Sequence, residues 1–538
     1  MLTKIYSATP VGIDAVPVTI EVHTIPGFDF TLVGLPDNAV KESHDRIVAA
    51  LAVNGYDTLR RAFTINMAPA DIKKEGAAFD LPLAIGMLAG CELVRTRLLA
   101  HYMLLGELSL DGTLQPIRGA LPIALCARRE GYKGLILPAE NAEEAAVVEG
   151  LEVYGMESLI DVIHFLNEEP KNELDPDDVF APTTVDIRSL FLTSAYPSDI
   201  DFADVRGQFK VRRAVEIAAA GGHNIIMVGP PGAGKSMIAK RIPTILPPLT
   251  LEEALETTKI HSVSGLLKRN SDGTRSSLIV QRPFRAPHHT ITSVAMVGGG
   301  VNPHPGEISL AHNGVMFLDE LTEHPKTTLE VLRQPLEDRH ITVARTKSTV
   351  DYPASFMLVA AMNPCPCGYY GANNPAHPCT CTPGQIQRYL HKISGPLLDR
   401  IDIQCEIEAV PYEQLRDTQP GESSAAIRER VIRARAIQTE RFRDSRSAPT
   451  DRVPGGSSVH CNAMMTAKQV RDFCTINDEC DQLLRFTMTK LGLSARAYDR
   501  ILKVARTIAD LAGSPDIQKQ HLLEAISYRS LDRNTWGA

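Results

Sequence analysis

Apolar and polar residues alternate through Val16–Val22 and Arg61–Asn66, a period of two that predicts strands with one buried face. Val40–Asn54 and Leu81–Ala89 read as helices, so residues 1–165 form a mixed α+β domain. The pattern fails over Asn167–Thr184, an acidic, proline-containing stretch almost free of aliphatics, which marks a linker at 166–190. From about Asp204 to Ala409 strands and helices alternate as in a parallel α/β sheet, giving a second domain at 191–410. A polar stretch at Gln419–Ser424 then leads into helical sequence, and 411–538 form a helical C-terminal lid. There is no internal repeat and no low-complexity tract.

The apolar run Asn224–Val228 is followed by Gly229, Pro230, Pro231, Gly232, Ala233, Gly234, Lys235 and Ser236. Glycines in this loop let backbone N–H groups turn toward phosphates, Lys235 reaches the β- and γ-phosphates, and Ser236 offers a hydroxyl to Mg²⁺. ATP and Mg²⁺ are the cofactors this loop implies. Downstream, the apolar strand Gly314–Leu318 ends in Asp319 and Glu320. Asp319 is suited to hold Mg²⁺ through its water shell, and Glu320 to polarise the attacking water, at the strand end where α/β sheets carry their sites. A third strand, Ser355–Met362, ends in Asn363, whose amide can orient the water from the other side; the plainer reading is a turn residue before Pro364.

Ten cysteines and a net charge of −8 change the picture in two ways. The acidic balance argues against coating nucleic acid by bulk charge, although local basic loops remain compatible with phosphate contacts. No apolar run spans a membrane and the N-terminus lacks a signal-peptide core, so a cytoplasmic protein with reduced thiols is expected. Six cysteines are scattered, whereas Cys365, Cys367, Cys379 and Cys381 form two CxC pairs in a loop of Gly, Pro and Asn. That loop has too little apolar content to order itself. A structural Zn²⁺ on four thiolates would supply the order at roughly 10–16 kcal/mol. Unliganded loop thiols are the alternative, and His377 is the substitute ligand. His288, His289, His304 and His312 fit no metal spacing and read as structural or loop residues.

The helix starting near Ser424 carries Arg428, Arg430, Arg433, Arg435, Arg441, Arg443 and Arg446. Interleaved acids favour a solvated face, and a phosphate-contacting helix is the sharper alternative. Arg400 stands at a helix end before another strand. Arg496 lies in a first helical turn, where the dipole disfavours a cation, which hints at a phosphate partner.

From Asp204 onward the chain resembles the magnesium-chelatase branch of AAA+ ATPases, and as a whole it resembles the YifB/ComM family. The strings that carry the likeness are Asp204-Val-Arg-Gly-Gln, Phe284-Arg-Ala-Pro-His-His, Arg333-Gln-Pro-Leu-Glu, Asn363-Pro-Cys-Pro-Cys-Gly and Ser394–Asp402. The resemblance implies that Arg400 is an arginine finger acting on a neighbour's nucleotide and that Arg496 is the second sensor. It implies a homo-hexameric ring that moves on single-stranded or branched DNA, migrates branches and aids integration of incoming strands in natural transformation. Residues 284–306 are similar to the helix-2 insert and Arg339–Asp351 to the pre-sensor-1 hairpin, with Arg345 and Lys347 near a tip suited to a polyanion. Alternatives are a chelatase subunit and a protein-remodelling ATPase.

Residues 1–165 resemble the proteolytic domain of Lon through Lys74–Asp80, Leu105–Gly119 and Gly131–Asn141. A Lon peptidase needs a serine nucleophile and a lysine base. Aligning the motifs puts Ala78 and Leu121 at those two positions, so the expected domain keeps the fold without a peptidase substrate. Lys73 and Lys74 read as surface charges.

Overall fold

The structure is a computed structural model. It describes residues 2–56, 61–74, 76–171, 179–194, 196, 199–267, 276–300, 303–345, 348–371, 377–408, 421–443 and 459–529. The chain divides into two compact units, Met1–Thr193 with Ala254–Ile279, and Ser194–Glu253 with Val280–Ala538. Among the described residues no helix is long and apolar enough to cross a membrane.

The first unit is built on a seven-stranded sheet. Its strands are β1 (Leu2–Val11), β2 (Asp14–Pro26), β3 (Phe30–Val33), β4 (Arg61–Ala68), β5 (Tyr102–Leu104), β6 (Gly134–Pro138) and β7 (Glu152–Met156), in the order β3-β4-β2-β1-β5-β6-β7. β1 pairs antiparallel with β2, and β2 with β4, while β5, β6 and β7 continue in parallel. The helix Asp80–Gly90 is buried on all sides, as its unbroken apolar sequence demands. Its one buried charge, Asp80, is held by a bidentate contact from Arg46 (2.8 and 3.0 Å). Ala78 is half-buried and Leu121 fully buried.

Two readings are corrected in this unit. Lys74 is not a surface charge: its side chain is fully buried and its ammonium donates to the Pro69 carbonyl, and burial lowers its pKa. Lys73 is exposed. The segment 254–279, which the sequence pattern ran into the second domain, clusters with the first unit. Gly119 N–H donates to the Ser262 carbonyl (3.3 Å), Ser262 Oγ to Glu144, and Lys259 pairs with Asp14 at 2.8 Å.

The second unit holds a five-stranded sheet of β8 (Ile225–Val228), β9 (Phe284–Arg285), β10 (Val315–Leu318), β11 (Met357–Met362) and β12 (Ile403–Glu406). Its order is β9-β10-β11-β8-β12 and every pairing is parallel. β8 therefore lies between β11 and β12, and the carboxyl ends of β8, β10 and β11 open on the same edge, the place where such sheets bind ligands. An antiparallel hairpin, His340–Arg345 with Ser348–Pro353, precedes β11. Lys347 lies outside the described residues, and so does Arg446.

Most arginines of the helix Ser424–Arg443 neither face water nor await phosphate. Arg430 pairs with Glu216 and Glu422, and Arg441 with the fully buried Asp510 (2.5 Å). Arg428 lies over the Tyr196 ring and donates to the Thr244 carbonyl, and Arg435 donates to the Ala219 carbonyl. Arg433 and Arg443 keep exposed pairs, with Glu429 and Glu440. These inward arginines tie the helix to a core shared by Ile225, Val359, Ile403, Val431, Ile501 and Leu522.

Candidate active site and metal centre

β8 runs directly into the loop Gly229–Ser236, and the helix Lys235–Arg241 follows. Gly232 and Gly234 sit at φ +78° and +86°, conformations that side-chain-bearing residues adopt only at a cost. Gly229 is needed for space, since a Cβ there would meet the Ile407 carbonyl oxygen at 2.3 Å.

Lys235 Nζ donates to the Gly229 and Pro230 carbonyls (2.6 and 2.9 Å) and to Asn363 Oδ1 (3.1 Å). Burial lowers its pKa, and the nearby charges of Asp319 and Glu320 oppose that shift. Ser236 Oγ donates to Asp319 Oδ2 at 2.6 Å. Glu320 N–H donates to Asp319 Oδ1 (3.0 Å), and Glu320 itself has a left-handed backbone at φ 48°. Three strand ends thus bring Lys235, Ser236, Asp319, Glu320 and Asn363 into one bonded cluster. An ammonium, a hydroxyl and two carboxylates arranged so can bind a polyphosphate with a divalent cation and activate a water.

The two remaining arginines stand apart from this cluster in the single chain. Arg400 is nearly buried, donating from Nη1 to the Pro396 carbonyl (2.7 Å) and pairing through Nη2 with Glu337. Arg496 is exposed in the first turn of the helix Ala495–Leu511, which Ser494 caps. Among the described residues neither bonds to a member of the cluster.

Two histidines that sequence reasoning left as loop residues, or passed over, border the acids. His289 Nδ1 lies 3.2 Å from Glu320 Oε2, and His324 Nε2 donates to the Asp319 carbonyl at 3.2 Å. His324 sits five places after Asp319, which is the one local signal available; His289 is remote in sequence and gave none. His312 is structural, as expected, accepting the Ser355 N–H at 3.0 Å.

The four clustered cysteines converge, with all sulfurs within 4.8 Å of one another. Cys365 Sγ is 3.3 Å from Cys367 and 3.7 Å from Cys379, and Cys367 is 3.5 Å from Cys379. Tetrahedral zinc with bonds of about 2.3 Å sets its sulfurs about 3.8 Å apart, so this donor set fits the ion. His377 stacks on Tyr369 instead of joining the group. The cysteine turn also abuts the phosphate loop, because a Cβ on Gly368 would meet Pro231 Cδ at 2.7 Å.

Comparison with known proteins gives matches along nearly the whole chain. Residues 201–415 match the family described as magnesium chelatase, subunit ChlI. Residues 20–141 and 421–529 match two further models, for subunit ChlI of Mg-chelatase and for its C-terminal part. The chain is 43% identical to the uncharacterized protein YifB of Escherichia coli over 99% of its own length and 98% of that protein's. It is 42% identical to competence protein ComM of Haemophilus influenzae over the same shares of both chains. A fainter likeness, 24% over 137 residues, reaches Lon protease 2 of Bacillus subtilis, covering 25% of this chain and 24% of that one. With a phosphate loop, its acid strand and a parallel sheet in one unit, and relatives matched almost end to end, the chain belongs to the YifB/ComM family of magnesium-chelatase-like AAA+ proteins.

Proposed function

We propose that this protein is an ATP-hydrolysing, homo-hexameric motor that acts on single-stranded or branched DNA, moving branches as incoming strands are integrated during natural transformation. The observation that carries the ATPase reading is the bonded cluster of Lys235, Ser236, Asp319, Glu320 and Asn363. The DNA reading rests on likeness to a protein named for competence, matched over nearly its full length.

Ser236 and Asp319, already joined through oxygen atoms 2.6 Å apart, would hold Mg²⁺, which when bound neutralises phosphate charge. Lys235 gives up its loop carbonyls to the phosphates. Glu320 accepts the proton side of the attacking water, and Asn363 orients that water from the opposite strand end. Arg400 acts as the finger on a neighbour's nucleotide after leaving Glu337, and the exposed Arg496 serves as second sensor. The cysteine turn carries Zn²⁺ as a brace.

The family model takes its name from a chelatase subunit, which favours metal insertion as the rival reading. ATP turnover with and without single-stranded and branched DNA separates the two. Stimulation by DNA, lost in Lys235→Ala, is expected, as is an Arg400→Ala variant that binds ATP without hydrolysing it. Turnover indifferent to DNA would sink the motor reading.

A further inference from the structure

Arg400 is fixed more firmly by its main chain than by its guanidinium. Its carbonyl accepts from Asn224 Nδ2 (2.9 Å) and from Arg500 Nη1 (3.4 Å), which occupies both lone pairs. The two residues that follow are gripped as well. Arg529 donates to the Ile401 carbonyl (2.6 Å), and Asp402 N–H donates to the Asn224 carbonyl (3.0 Å). Among the described residues the guanidinium itself has two partners, the Pro396 carbonyl and the half-exposed Glu337, while its buried Nε has none.

The two donors to the Arg400 carbonyl come from different places. Asn224 heads β8, whereas Arg500 lies on the helix Ala495–Leu511, one turn after the exposed Arg496. Arg500 Nη1 also pairs with Asp402, whose carboxylate is nearly fully buried. Thr507, two turns further along the same helix, reaches Asp402 through His223. His223 Nε2 lies 2.8 Å from Thr507 Oγ1, and Nδ1 lies 2.9 Å from Asp402 Oδ2. One face of this helix is thus bonded to the turn Arg400–Asp402 at two points. Only the Arg500 contact reaches the backbone of Arg400 itself.

Resting on the reading of Arg400 as a finger, we propose that Arg500 is a positioning residue for it. By holding the Arg400 carbonyl, Arg500 fixes where the guanidinium can reach and turns a shift of the helix Ala495–Leu511 into a shift of the finger. A displacement of 1 Å at a group of this kind can cost about 100-fold in turnover.

Steady-state ATP turnover of the full-length protein, with affinity for a fluorescent ATP analogue measured alongside, tests this. Arg500→Ala is expected to lower kcat roughly 10- to 100-fold while the affinity stays at the parent value. Asp402→Asn removes the charge pair but leaves the Arg500–carbonyl bond, so its kcat should stay near the parent's. Asp402→Asn combined with Arg500→Met buries no unpaired charge and has no grip on Arg400. It should be as slow as Arg500→Ala, and it decides the matter if the alanine variant fails to fold. A double variant as fast as Asp402→Asn overturns this inference alone. So does an Asp402→Asn variant as slow as Arg500→Ala, which would make the charge pair and not the carbonyl contact the cause. Lost affinity in Arg500→Ala would place its effect on the chain's own nucleotide and overturn it too. Parent turnover matched by Arg400→Ala overturns the finger reading, and a parent without turnover overturns the ATPase reading, each taking this inference with it.

Discussion

Gly368 and Gly371 both lie in the cysteine turn at positive φ, +89° and +73°, yet only the first faces the phosphate loop. A Cβ at 368 would stand 2.7 Å from Pro231 Cδ and 2.9 Å from Pro231 Cγ, whereas at 371 nothing among the described residues lies within 4 Å. Alanine at either position incurs the left-handed backbone cost of about 1–2 kcal/mol. Gly368→Ala adds an overlap that the neighbours must relieve, typically at about 1–3 kcal/mol. Pro231 belongs to the loop that receives the phosphates, so relief there distorts the site. If the loop bears that cost, nucleotide affinity falls roughly 5- to 150-fold. Titrating a fluorescent ATP analogue into both variants, with metal content measured alongside, separates strain from contact. Gly371→Ala should keep the parent affinity while Gly368→Ala loses it. Equal affinities in the two variants would refute the idea that the cysteine turn braces the phosphate loop.

Purified parent protein should contain stoichiometric zinc by elemental analysis and Cys379→Ser should lose it; a parent free of zinc ends the assignment. Asp510→Ala should destabilise the second unit by about 3–5 kcal/mol, because Arg441, Arg506 and Asn462 all bond to its buried carboxylate. That predicts a fall of roughly 6–20 °C in the unit's calorimetric midpoint, and an unmoved midpoint contradicts it. Burial opposes the Asp402 charge, but Arg500 and His223 more than offset this and hold its carboxyl far below the usual range. Such a group stabilises the fold above its unfolded pKa of about 4 and loses that contribution as pH falls below it. Burial also lowers the His223 pKa, so the loss begins below about pH 6.5 as the unfolded chain takes up protons first. Unfolding midpoints followed by circular dichroism should therefore drop with acidification, and Asp402→Asn should flatten the lower part of the curve; a pH-independent parent would refute this.

What the sequence disclosed was what backbone and period enforce locally. Gly232 and Gly234 announce a loop needing positive φ, and four apolar residues before Asp319 announce a strand end. The strand of alternating residues at Val16–Val22 lies within β2, and the helix at Leu81–Ala89 within Asp80–Gly90. Features made by distant partners stayed hidden. Arg430 and Arg441 look like surface charges until Glu216 and Asp510, 214 and 69 residues away, fold against them. Lys74 looks solvated until β4 and its following turn enclose it beside the Pro69 carbonyl. His289 has no local signal, since its partner Glu320 arrives from another strand.

The sheet of the first unit shows the same dependence on context around Leu121. Leu121 is fully buried, and its N–H donates to Glu144 Oε1 at 2.9 Å. Glu144 is itself fully buried and also accepts from Ser262 Oγ and from Asn141 Nδ2 (3.3 Å). A lysine at 121 would meet either apolar packing or this carboxylate. In the first case the ammonium is desolvated at high cost; in the second it is paired and no longer a free base. Ser262 belongs to Ala254–Ile279, whose two ends continue into the second unit at Glu253 and Val280. The chain passes between its two units after residues 193, 253 and 279, and the Leu121 N–H and Ser262 Oγ both donate to Glu144. Glu144 thus fastens the segment Ala254–Ile279 to the helix that carries Leu121.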